Sequence, residues 1–159
     1  MLAALVALAG CASGPAASPS GSTIHVAARS ASAVLEPSAY ADAILTETNR
    51  VRAERDLADL TPSACAAEQA IGRAEALVGD PLEHASLKPV ISACAPPSGL
   101  AAENLSRAAA TPAEVVNAWL GSAGHANNLL SPQLTELGVG CVLDDSNGRQ
   151  MLCSQVFLG

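Results

Sequence analysis

Aromatic and basic side chains are the scarcest components of this chain. Tyr40, Trp119 and Phe157 are the only aromatics among 159 residues. A core of ordinary density must therefore come from Ala, Leu, Val and Ile, and alanine buries little area per residue. Such a core gains from covalent staples. Lys88 is the single lysine, and the net charge is −7. An acidic surface with so few cations repels phosphate backbones, which argues against nucleic-acid binding. It argues equally against electrostatic attachment to anionic lipid. No apolar run reaches the length of a membrane-spanning helix. What remains is one domain of ordinary size, half of whose residues are hydrophobic.

The apolar run that does occur is short. Residues 1–10, MLAALVALAG, end at Cys11 and fit the h-region of an export signal. No Lys or Arg precedes the run, a departure from a basic n-region. Leu8-Ala9-Gly10-Cys11 looks like a bacterial lipobox, with Cys11 as the lipidated residue. Residues 11–37 are rich in Ala, Ser, Gly and Pro and read as a flexible tether; His25 lies within it. The folded domain is expected over 38–159. This organisation predicts an extracytoplasmic protein, lipid-anchored or secreted, that meets the membrane through its N-terminal lipid only.

Four cysteines remain: Cys65, Cys94, Cys141 and Cys153. Exported chains can keep disulfides. Two strand-like segments, 137–143 and 150–158, flank Asp144-Asp145-Ser146-Asn147-Gly148, and Asn-Gly marks a hairpin turn. Folding the chain there sets Cys141 opposite Cys153 and leaves Cys65 for Cys94, closing a loop around His84. A four-cysteine zinc site fits poorly, because no pair has zinc-knuckle spacing.

Upstream, 38–56 has apolar residues at helical spacing. Pro62 suits the first turn of a second helix, with Ala67, Ala70, Ile71, Ala74, Leu77 and Val78 on one face and Gly79-Asp80-Pro81 as its stop. Residues 82–94 resist assignment. Residues 101–105 read as a short strand opening with Glu103 and Asn104. Thr111-Pro112-Ala113-Glu114 is a capping box. The helix it opens breaks at 121–124, placing His125 in a turn before a short helix over 126–130. Helices precede clustered strands, so the fold class is α+β, helices packed on a small antiparallel sheet.

Asn49-x-x-Arg52, Leu57, Leu60, His84, Glu103-Asn104, Trp119, Ser122-x-Gly124-His125, Asn128-Leu129-Leu130, Thr135-Glu136-Leu137-Gly138-Val139-Gly140 and Gln155-Val156-Phe157 occur in that order. Together they resemble the CAP superfamily of cysteine-rich secretory proteins, antigen 5 and pathogenesis-related proteins, in its bacterial, SCP-like branch. The resemblance spans residues 40–159. It implies an α-β-α sandwich with a cleft in which His84, Glu103, His125 and Glu136 converge. Sequence alone would not pair His84 with His125. The chain departs from the family pattern at Ala102, where glycine is usual, at Leu82-Glu83, where an aromatic is usual, and at Ala126, where arginine is common. The helix before His125 lacks the acid many eukaryotic members carry; Glu136 is the candidate substitute.

Two imidazoles with carboxylates can hold a divalent ion such as zinc, and His84 and His125 are the candidate ligands. The competing reading is a structural hydrogen-bond network, the usual reason for buried His and Glu. Asn104 and Asn128 are expected to bond backbone. Ser106, Ser122 and Ser131 lack a nucleophile elbow. The resemblance also allows a small apolar or lipid ligand, since some members bind sterols or other lipids. The function expected is a binding module with a His/Glu-lined cleft. The alternative is a metal-dependent hydrolase acting on peptides or envelope polymers.

Overall fold

The organising element is the C-terminal hairpin. In a computed structural model that describes residues 35–159, β3 (Glu136–Asp144) and β4 (Gln150–Leu158) pair antiparallel, with Cys141 opposite Cys153. The turn closes where Asp144 accepts from the Ser146 backbone N–H and Gly148 takes a positive φ of 86°. β2 (Ala101–Ala108) pairs antiparallel with the other edge of β4. β1 is only Thr61–Pro62 and runs parallel to β3, giving the order β1-β3-β4-β2. The sheet is thus mixed rather than wholly antiparallel. Pro62 belongs to this edge strand and not to a helix. Thr61 and Ser63 donate to Thr135 and Leu137 across the parallel pair, and Pro62 sits between them, where no donor is needed.

Side chains alternate across the sheet. Leu137, Val139, Cys141, Met151, Cys153 and Phe157 face one layer, packing against Tyr40, Ile44 and Val51 of α1 (Pro37–Ala53) and Val116 and Trp119 of α4 (Pro112–Leu120). Val156 and Leu158 face the other, where they meet Ala66 and Ala70 of α2 (Ala64–Ala76) and Val90 of α3 (Lys88–Cys94). Leu152 and Leu105 continue that layer with Ala74 and Leu77. β4 is buried from Met151 to Leu158 because it is covered on both faces. This is the three-layer α-β-α sandwich.

The alanine-rich layer reaches useful density by close approach. A Cβ on Gly138 would lie 2.0 Å from the Ala67 nitrogen, and one on Gly140 2.2 Å from the Ile71 nitrogen. The α2 backbone therefore rests directly on β3. Ala66, Ala70 and Ala74 are fully buried there, whereas Val78 lies past the helix and is 45% exposed.

Both disulfides form as the fold-back of the hairpin indicates. Cys141–Cys153 ties β3 to β4 within the α1 layer, and Cys65–Cys94 ties α2 to α3. The α4 capping box is complete: Thr111 accepts from the Glu114 N–H and Glu114 accepts from the Thr111 N–H. α5 spans Ala123–Leu129, so His125 lies inside a helix rather than in the turn before it. Ser122 adopts extended backbone as its N-cap, which lets the helix start three residues earlier than 126. No helix among the described residues is long and apolar enough to cross a membrane. The lipobox with Cys11, the tether and His25 lie outside the described residues.

Candidate functional site

β2 is an edge strand, and its outward carbonyls need donors. Trp119 Nε1–H supplies one to Leu105 O at 2.9 Å, and Asn128 Nδ2–H supplies one to Glu103 O at 3.2 Å. These two bonds draw α4 and α5 over the strand edge and carry His125 with them. Asn128 also donates to Asn104 Oδ1 at 2.9 Å. Asn104 donates to Gln155 Oε1 at 3.1 Å, and Gln155 donates to Thr48 Oγ1 at 2.8 Å. Asn104, Gln155 and Thr48 are all fully buried. A continuous polar chain thus runs from α1 through the sheet to α5. Asn128 does bond backbone, as its residue type suggests, yet it also lines the cleft.

Arg52 anchors the far end of α5. Its guanidinium, 2% exposed, donates to Ala58, Leu129 and Ser131 carbonyls at 2.8–3.0 Å. Those acceptors at the helix C-terminus favour a cation. Burial holds the Arg52 pKa below its ordinary value, and nearby Asp59 pulls the other way. Asn49 latches the next turn of chain, exchanging two bonds with the Leu60 backbone. The Asn49-x-x-Arg52 pair is therefore a structural clamp behind the site.

The Glu103 side chain projects onto the α2 face and is 1% exposed. Its Oε1 accepts from Arg73 Nε at 3.1 Å and Ser154 Oγ at 3.0 Å. Its Oε2 lies 2.9 Å from His84 Nδ1. An ionised carboxylate only accepts, so His84 Nδ1 carries the proton, and in the neutral ring the Nε2 lone pair is open. His84 sits on an irregular loop between α2 and α3 with its side chain 54% exposed. Arg107 holds the start of that loop through the Leu77 and Asp80 carbonyls, and Arg73 holds Glu83 O at 3.2 Å. The Cys65–Cys94 bridge holds its end.

A cavity of about 310 Å³ opens at this place. His84, Glu103 and Asn128 supply its polar wall, and Ala85, Leu87, Ala101 and Ala102 its apolar wall. Leu82 and Leu100, near it in sequence, are each 41% exposed. His125 is half-buried on α5; its backbone carbonyl accepts from Asn104 at 3.4 Å. Its pKa is lowered, first by burial and then by the charge of His84. His84 lines the cavity, whereas His125 is not among its lining residues. Glu136 begins β3, between Thr61 of β1 and Leu158 of β4 in register. One strand, β4, separates it from Glu103, and no hydrogen bond or ion pair among the described residues joins it to His84, Glu103 or His125. No cluster of three or more His, Cys, Asp or Glu among the described residues is placed to hold a metal ion.

Arg73 and Ser154 are the site residues that sequence reading missed. Both lie on the buried α2 face in segments of apolar pattern. The one available signal was period: Ser154 is polar where a both-face-buried strand should be apolar.

Helices on both faces of a small mixed sheet, with a histidine–carboxylate cleft at its edge strand, define a CAP-type domain. The chain belongs to the CAP family, the cysteine-rich secretory protein family, which it matches over residues 45–157. YkwD, an uncharacterized protein of Bacillus subtilis strain 168, is 42% identical over 59 residues, which cover 37% of this chain and 21% of YkwD. The structure of an extracellular SCP-domain protein from Bacillus anthracis strain Ames aligns with TM-score 0.58 and 26% identity, covering 80% of this chain and 45% of that one. NaASP2, crystallised with Zn2+, aligns with TM-score 0.54 and 12% identity, covering 74% of this chain and 78% of that one. This chain spans less than half the length of YkwD and of the Bacillus anthracis protein.

Proposed function

We propose that this domain is a binding module of the cell envelope, exported and lipid-anchored through Cys11, whose cleft binds a small ligand between His84 and His125. The observation that carries the reading is the bond from His84 Nδ1–H to Glu103. A carboxylate gripping one ring nitrogen leaves the other free, which is how ligating histidines are oriented. Glu103 thereby becomes an orienting group rather than a ligand. The donor set fits a divalent ion held loosely by His84 Nε2 and His125, with water completing the shell. It does not fit a closed zinc site or a three-ligand catalytic one. Zinc in NaASP2 supports an ion of that kind. The apolar cavity wall suits the small apolar part of a ligand bound beside it.

A hydrolase reading draws less support. A general base must be reached by water, whereas Glu103 is 1% exposed and already takes three hydrogen bonds. Glu136 is not joined to it. Zinc calorimetry on the full chain at pH 7.5 tests the binding reading. Heat of binding in the parent, lost in His84→Ala and in His125→Ala but kept in His25→Ala, is expected. No heat in the parent, or equal heat in all variants, sinks the metal reading. For the anchor, Cys11→Ser should release the protein from the membrane fraction; unchanged fractionation counts against it.

A further inference from the structure

We propose that Arg73 is a positioning residue of the cleft, fixing the tautomer and orientation of His84 through one guanidinium that grips two things at once. The role has meaning only if the cleft binds a ligand as proposed above, but the geometry stands independently. Arg73 Nε donates to Glu103 Oε1 at 3.1 Å, and its terminal nitrogen donates to Glu83 O at 3.2 Å. Glu103 is the group that holds the His84 ring; Glu83 is the residue before it. A single planar fork from α2 therefore fixes both the carboxylate and the backbone from which the ring hangs.

The loop needs such a hold. Residues 81–86 are exposed and carry no regular structure. One hydrogen bond to an exposed ring would not by itself set its position. With Arg73 and Ser154 both on Oε1, the carboxylate plane is fixed and Oε2 is left to His84. His84 then keeps its proton on Nδ1 and offers Nε2 outward. Glu103 on β2 faces the ring at 2.9 Å, and Arg73 on α2 shares that carboxylate at 3.1 Å. Lysine could supply the charge but not both arms.

Ring nitrogen spectra of the 15N-histidine-labelled full chain at pH 8, where an ordinary imidazole is neutral, test this. His25→Gln and His125→Gln assign the signals. The parent should show His84 with hydrogen on Nδ1 alone. Arg73→Gln should show both tautomers in exchange, with zinc affinity down about tenfold, while Arg73→Lys falls between. A His84 spectrum in Arg73→Gln identical to the parent overturns the proposal. If Arg73→Gln does not fold, Arg73→Lys decides by the same criterion: mixed tautomers support it and a parent-like ring refutes it. A parent that binds no zinc removes the ligand reading, while the tautomer comparison still decides the role of Arg73.

Discussion

Gly138→Ala is the sharpest test of how this domain builds a core from small residues. The added Cβ would lie 2.0 Å from Ala67 N, 2.2 Å from the Ala66 carbonyl carbon and 2.7 Å from the Ala66 Cβ. Two of these are helix backbone, so no rotamer change relieves them. Reaching ordinary contact at 3.4 Å requires α2 to lift off β3. Lifting it unpacks Ala66, Ala70 and Val156 and pulls Arg73 away from Glu103. Overpacking against side chains costs about 1–3 kcal/mol, and a clash with backbone places this change at about 3 kcal/mol or above. For a domain of this size that lowers Tm by roughly 10 °C. Urea unfolding followed by circular dichroism, without reductant, gives the value. Gly124→Ala is the control, since nothing lies within 4 Å of its Cβ and it sits in helix α5; it should be neutral or stabilising by up to about 1 kcal/mol. Equal stability of Gly138→Ala and the parent would refute the close approach of α2 to β3.

Three further outcomes follow from the same structure. Arg52→Met removes three bonds to carbonyls of the 58–60 loop and the end of α5; with charged hydrogen bonds worth about 1.5–3 kcal/mol each, a loss of at least ~3 kcal/mol is expected in urea titration, and a loss under 1 kcal/mol would contradict the clamp. Cys65–Cys94 is half-buried and Cys141–Cys153 is buried, so graded dithiothreitol with alkylation and mass spectrometry should open the former first; the reverse order would contradict the burial assigned here. His125 has a folded pKa below its unfolded value near 6.5. The unfolded chain then binds the extra proton first, and stability should fall as pH drops from about 6.5 toward the folded pKa, then level off. His125→Asn should flatten that part of the pH–stability curve; an unchanged slope would count against the burial of this ring.

Much of the fold was legible because its signals are local. The capping box at Thr111, the Asn147-Gly148 turn and the helical spacing within 38–56 each depend on residues close in sequence, and the structure contains all three. The disulfides followed from the hairpin. Pro62 misled because a helix N-terminus and an edge strand both tolerate a residue without an N–H. Gly121-Ser122-Ala123-Gly124 looks like a break and sets His125 in a turn on sequence alone, whereas Ser122 caps a new helix there. The site was legible only in part. Resemblance drew attention to His84 and Glu103, whose bond joins residues 19 apart. Arg73 and Ser154 reach Glu103 from α2 and β4, 30 and 51 residues away, and no periodicity encodes that meeting. Glu136 is set across β4 from Glu103 by the strand order, a tertiary fact absent from its surroundings in the sequence.

On the proposed reading, the two imidazoles share a ligand while Glu103 only orients one of them. A crystal of the full chain soaked in zinc chloride, with anomalous data at the zinc edge, measures this most directly. One strong peak is expected about 2.0–2.1 Å from His84 Nε2 and from a His125 ring nitrogen, with Glu103 still bonded to His84 Nδ1. A peak on Glu103 itself, a peak at Glu136, or no peak in the cleft would contradict it.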